Sequence, residues 1–104
     1  EKLILEGAGY DVAIAADGAE AWKHLRNHGA DVVVADIDMP EMDGFALTQT
    51  IRRSRKFAQL PVILISGRDT VEEKEQGLHA GANAYMAKSS FDQQLFLEAV
   101  RQMV

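Results

Sequence analysis

Short β-branched runs alternate with amphipathic segments along the chain, the pattern of a parallel sheet with helices on both faces. Asp11-Val12-Ala13-Ile14-Ala15 alternates and predicts a strand. Asp17-Gly18-Ala19-Glu20 is a D-x-x-E capping box for a helix carrying Ala21, Trp22 and Leu25, which Gly29 ends after His28. Asp31-Val32-Val33-Val34-Ala35 does not alternate. A continuous β-branched run suits a strand buried on both faces, so this one belongs inside the sheet. Residues 36–44 read as a loop, because Pro40 disfavours helix at Met39 and Asp43-Gly44 is turn chemistry.

A helix over about residues 45–54 follows, with Leu47, Thr50 and Ile51 facing inward and Arg52, Arg53 and Arg55 suited to its C-terminal dipole. Pro61-Val62-Ile63-Leu64-Ile65-Ser66 is a second fully apolar strand, with proline confined to its first position. Thr70-x-x-Glu73 caps a helix that has little to bury besides Val71 and Leu78, which predicts loose attachment. Its acidic residues Glu72, Glu73 and Glu75 read as a solvated face. Ala84-Tyr85-Met86-Ala87 is a last short strand, and Ser90-x-x-Gln93 caps a closing helix with Phe91, Leu95, Ala99 and Met103 at core spacing.

Residues 1–9 read as the end of an amphipathic helix closed by Gly9, with no strand before it. A flavodoxin-like sheet of order 2-1-3-4-5 places its first strand between the second and third. The expectation is therefore one α/β domain over residues 1–104, lacking the first strand and the start of the first helix. It is read as a piece of a longer protein, or as a chain whose gap another chain or segment fills. Without that neighbour, Val12 to Ala15 would stand unpaired, at about 1–3 kcal/mol for each buried backbone group left unsatisfied.

With 104 residues, 47% of them hydrophobic, the chain is large enough for one core and too short for two domains. The absence of cysteine excludes a disulfide scaffold and a thiolate metal site. Eleven Lys and Arg against 16 Asp and Glu give a net charge of -5, which argues against a nucleic-acid-binding surface. No apolar stretch approaches the ~20 residues of a membrane span and no secretory leader pattern is present, so a cytoplasmic location is expected.

Three polar residues stand at or just beyond the ends of separate predicted strands: Asp36, Ser66 and Lys88. In an open parallel sheet those ends converge on one crevice. The set suits a reaction that handles an anion, with Asp36 as a carboxylate nucleophile, Lys88 as positive charge and Ser66 as a hydrogen-bond donor to an oxyanion. Singly, each has a plain structural explanation as a turn residue, a satisfied hydroxyl or a solvated tip.

The motifs Val33-Val34-Ala35-Asp36-x-x-Met39-Pro40-x-Met42-Asp43-Gly44, Pro61-Val62-Ile63-x-x-Ser66-Gly67 and Ala80-Gly81-Ala82-x-Ala84-Tyr85-x-x-Lys88 resemble the response-regulator receiver domain of two-component signalling. That resemblance implies Asp36 as phosphoacceptor, Ser66 as the hydroxyl that follows the phosphoryl group, Lys88 as its cationic partner and Tyr85 as the aromatic switch. It implies Mg²⁺ held by Asp36 and the backbone carbonyl of Asp38. The family's acidic pair at the end of the first strand has no counterpart here, so the metal site is expected to be incomplete. The phosphoryl donor would be a sensor or chemotaxis histidine kinase or a phosphotransfer domain, and the domain would itself promote the transfer and loss of the phosphoryl group. Output would pass through the helix from Thr70 to Ala80, the Tyr85 strand and the last helix, and a homodimer could form through the last helix and its neighbouring strand. Lys88-Ser89-Ser90-Phe91-Asp92-Gln93 resembles receivers fused to chemotaxis-type hybrid kinases, and Ser89 stands where the family usually carries a cis proline.

Two other functions compete. Asp36-x-Asp38 also resembles the motif of haloacid-dehalogenase-type phosphatases, although 104 residues leave little room for their further loops and cap. A phosphorylation-independent pseudo-receiver that only binds partners is the other. Remaining features have simpler explanations: His24 and His28 as a solvated face lacking a third metal ligand, Trp22 as core or a helix–sheet contact, and Met39 and Met42 as packing under Pro40.

Overall fold

The computed structural model describes residues 11–15, 17–39, 41–67, 70–87 and 93–103. Among the described residues four strands and four helices alternate: β1 (Val12–Ala15), α1 (Gly18–His28), β2 (Val32–Asp36), α2 (Gly44–Arg53), β3 (Val62–Ser66), α3 (Val71–Ala80), β4 (Ala84–Ala87) and α4 (Gln93–Met103). All pairings are parallel, and the sheet order is β1-β2-β3-β4.

This order corrects one expectation. Val12 to Ala15 do not stand alone: they pair in register with Val32 to Ala35, as the second and third strands of the family order would if brought directly together. Pairing satisfies a row of N–H and C=O groups that would otherwise lose hydrogen bonds, and the small and β-branched side chains of both strands permit close approach. The helix end expected over residues 1–9 lies outside the described residues.

The sheet is covered on both faces. Ala13, Ala15, Val33, Ala35 and Leu64 meet Leu25 of α1 and Leu47 and Ile51 of α2 in one apolar layer. Val12, Val32, Val34, Ile63 and Ile65 meet Val100 of α4 in the other. Trp22 is half-buried against the first of these layers and packs edge-on against Phe57 in the turn after α2, with ring centroids 6.0 Å apart, so its ring meets a loop residue of the core.

Local chemistry sets the helix ends. Asp17 Oδ1 accepts from the N–H groups of Ala19 (2.8 Å) and Glu20 (3.2 Å), so the capping residue is the one that the sequence indicates. Gly29 closes α1 with φ of 72°. On α2 the inner face is Leu47, Thr48 and Ile51 rather than Thr50, which is only half-buried. Thr48 is accommodated there because its hydroxyl donates back to the Gly44 carbonyl at 2.8 Å.

Arg52 does more than complement a helix dipole. Its guanidinium donates to the carbonyls of Gly81 (2.8 Å), Ala58 (3.3 Å) and Leu60 (2.6 Å) and to Asn83 Oδ1 (2.6 Å), which also accepts from the Val62 N–H. One side chain therefore joins the end of α2, the entry to β3 and the turn before β4. Partial burial pulls its pKa below the ordinary value by desolvation, yet a guanidinium remains charged at neutral pH. Gly81, at φ 107°, lies beneath it, and a Cβ there would come 2.8 Å from Arg52 Cγ.

Candidate functional site

The C-terminal edge of the sheet puts two of the three expected residues, Asp36 and Ser66, on adjacent strand ends. Asp36 ends β2 and is the register partner of Ile65, Ser66 follows Ile65 at the end of β3, and Ser66 is in turn the partner of Ala87. Lys88, next in sequence after Ala87, lies outside the described residues, as does its bond to Ser89.

The loop after Asp36 folds back on the strand that carries it. Asp36 is half-buried, and its Oδ1 accepts from the backbone N–H of Asp38 at 3.0 Å, a local Asx-type turn that orients the carboxylate. Ile37 is buried, and its carbonyl accepts from Met39 N (3.2 Å) and Gly44 N (3.1 Å), while its own N–H reaches the Ile65 carbonyl at 3.0 Å. Glu41 adopts φ of 66°, an uncommon left-handed conformation for a residue with a side chain. Asp43 then caps α2 through the Ala46 N–H at 2.8 Å.

Glycine is required at the start of α2. A Cβ on Gly44 would sit 2.8 Å from the Asp36 carbonyl oxygen and 3.0 Å from Ile37 Cα, so the helix can begin against the strand end only without one. Met39 and Met42 are half-buried and pack against the core, while Pro40, the residue they are expected to pack under, lies outside the described residues.

Ser66 is fully buried, and its hydroxyl donates to Glu73 Oε1 at 3.0 Å. The Tyr85 hydroxyl donates to the same oxygen at 3.2 Å. Both switch residues named from the sequence are thus joined by a carboxylate that the sequence assigns to solvent. Glu73 is half-buried in the first turn of α3, with its N–H capped by Thr70 Oγ1 at 3.2 Å. The signal that could have found it is position: a carboxylate one turn into the helix that starts just after the Ser66 strand.

The packing face of α3 is a second correction. Val71 and Leu78 are 68% and 53% exposed, whereas Gly77 and Ala80 are buried. The helix lies close to the sheet on its small residues: a Cβ on Gly77 would be 3.2 Å from Leu64 Cδ1 and 3.6 Å from Tyr85 Cδ2.

The Asp36 carboxylate and the Asp38 backbone carbonyl are hard oxygen donors, suitable in kind for Mg²⁺. Among the described residues no cluster of three or more His, Cys, Asp or Glu could hold a metal by itself. Two such donors would suffice in kind for an ion that is usually held by one or two carboxylates together with waters and substrate phosphates. His24 and His28 are exposed neighbours on α1, with ring centroids 4.8 Å apart. No described helix is long and apolar enough to cross a membrane.

Comparison with known proteins agrees with this geometry. The family model for the response regulator receiver domain matches residues 2–101. A gliding motility regulatory protein of Myxococcus xanthus is 33% identical over 100 residues, covering 96% of this chain and 13% of its own length. The receiver domain of Francisella response regulator 1452 superposes with a TM-score of 0.82 at 32% identity, over 98% of this chain and 82% of that one. The receiver domain of a Pseudomonas aeruginosa PAO1 sensor histidine kinase, with magnesium coordinated in its active-site cleft, gives a TM-score of 0.82 at 26% identity. It covers 98% of this chain and 83% of that one. By sequence match, strand topology and the placement of Asp36 and Ser66, the chain belongs to the response regulator receiver domain family.

Proposed function

We propose that the domain accepts a phosphoryl group on Asp36 from a phosphohistidine of a histidine kinase or phosphotransfer domain. The supporting observation is the register of the sheet edge, which sets the Asp36 carboxylate and the Ser66 hydroxyl on adjacent strand ends, one residue out of step. An Asp36 carboxylate oxygen attacks phosphorus as the P–N bond of the donor breaks, and the imidazole leaves with the electron pair and is protonated from solvent. Little covalent work falls to the protein, so positioning and charge dominate. The Asp38 N–H orients the nucleophile through its bond to Oδ1, Ser66 supplies a hydroxyl donor, and Lys88 supplies positive charge. When bound, Mg²⁺ neutralises charge on the transferring oxygens.

The kinase-fused assignment rests on the motif from Lys88 to Gln93, and similarity to the receiver of a sensor histidine kinase is in keeping with it. Exposed Val71 and Leu78 give α3 an apolar outer edge suited to an output partner on the side of α3, β4 and α4.

Intact mass after incubation with Mg²⁺ and a small acyl-phosphate donor tests the phosphoacceptor. The wild-type chain is expected to gain one phosphoryl group and Asp36→Asn none. Chelation of the divalent cation is expected to slow uptake by roughly tenfold or more. No uptake by a chain whose circular dichroism shows it folded would leave the pseudo-receiver as the better reading, and sustained release of phosphate from an ester would favour the phosphatase.

A further inference from the structure

Glu73 is placed to oppose the reaction at Asp36. One of its oxygens accepts from both Ser66 Oγ (3.0 Å) and Tyr85 OH (3.2 Å). A serine hydroxyl carries a single proton, so Ser66 cannot donate to Glu73 and to a phosphoryl oxygen at the same time. An ionised carboxylate is a strong acceptor, and charge-assisted bonds of this type are about twice as strong as neutral ones. Ser66 is fully buried, so a hydroxyl that leaves Glu73 must find another acceptor at once. Because Tyr85 shares the same oxygen, the end of β3, the first turn of α3 and the middle of β4 meet at a single atom.

We propose that Glu73 is a positioning residue that clamps Ser66 and Tyr85 in the unphosphorylated arrangement, and that a phosphoryl group on Asp36 must compete with its carboxylate for the Ser66 proton. The signalling consequence rests on the phosphoacceptor reading of Asp36, whereas the clamp exists without phosphate. Capture of the Ser66 proton takes away the donor that ties β3 to Oε1, which loosens the link between Ser66 and Tyr85 and lets α3 and Tyr85 shift together. The two arrangements therefore differ by which acceptor holds one proton, and this difference is what lets a ligand move the equilibrium.

The test compares the full chain with Glu73→Ala, Glu73→Gln, Ser66→Ala and the Glu73→Ala/Ser66→Ala double variant. NMR reads the rotamer populations of the Tyr85 side chain without phosphodonor, and intact mass reads the phosphorylated fraction at a fixed, subsaturating donor concentration. The minor Tyr85 rotamer is expected to rise about threefold or more in Glu73→Ala, with Glu73→Gln in between because its amide oxygen is a weaker acceptor. Phosphorylated fraction should rise in the same order, and Ser66→Ala should abolish the effect of Glu73→Ala on it. A purely helix-stabilising role would leave the Tyr85 populations unmoved. Wild-type Tyr85 populations in both Glu73 variants overturn the clamp, as does an equal gain in phosphorylation with and without the Ser66 hydroxyl. Should Glu73→Ala fail to fold, Glu73→Gln carries the same comparison. A wild-type chain that takes up no phosphoryl group overturns the phosphoacceptor reading, while the Tyr85 populations still decide the clamp.

Discussion

Arg52→Ala is expected to destabilise the domain by about 2–4 kcal/mol, lowering the melting temperature by roughly 10–20 °C for a chain of this size. The substitution removes donors from three backbone carbonyls, those of Ala58, Leu60 and Gly81, and from Asn83 Oδ1. These acceptors belong to loops that have no ladder partner to fall back on, and water reaches the half-buried site only in part. The methylenes of Arg52 also cover Gly81, so packing is lost with the charge. Arg52→Lys should recover little, because an ammonium cannot span acceptors arranged around a planar fork. Thermal unfolding followed by circular dichroism measures both. A shift of only a degree or two for the alanine variant would mean that the four bonds are replaced by solvent without loss.

Gly18→Ala is expected to cost about 2 kcal/mol or more, even though alanine is the better helix former by roughly 1 kcal/mol. The reason is contact rather than conformation. A Cβ at position 18 would lie 1.9 Å from the Met42 carbonyl oxygen and 2.6 Å from Met42 Cβ, distances that force the backbone of the Asp36 loop to move. Stability and phosphoryl uptake should therefore fall together in this variant. Gly67→Ala is the matched control: among the described residues nothing lies within 4 Å of its added Cβ, and its stability should stay within about 0.5 kcal/mol of wild type. Denaturant titration of the two variants, paired with intact mass after phosphodonor treatment, gives the comparison. Equal stability for the two would show that the start of α1 yields easily to Met42.

What could be read from the sequence was what depends on neighbours in the chain. The strand–helix alternation follows from periodicity, the cap at Asp17 from a spacing of three residues, and the strand-end positions of Asp36 and Ser66 from where apolar runs stop. What escaped was what depends on partners far along the chain. Val12 to Ala15 carry no mark of which strand lies beside them, and the family order suggests a neighbour other than Val32 to Ala35. In α3 the hydrophobic rule fails because the helix approaches the sheet on Gly77 and Ala80, turning Val71 and Leu78 outward. Glu73 fits a capping-box spacing, which accounts for its backbone N–H but is silent on which hydroxyls its carboxylate meets. Arg52 sits where a helix dipole already explains a cation, so nothing local points to the distant carbonyls it holds.

The sheet order β1-β2-β3-β4 is also the order in which the strands leave the ribosome. Each strand pairs only with the one made just before it and the one made just after, so no described pairing waits for a distant part of the chain. Once α1 and β2 have emerged, β1 already has its partner and α1 its apolar face, and each later strand–helix unit adds to an edge that is already formed. Vectorial synthesis therefore suits this sheet: a growing chain can consolidate it strand by strand, each new strand covering the edge left by the one before.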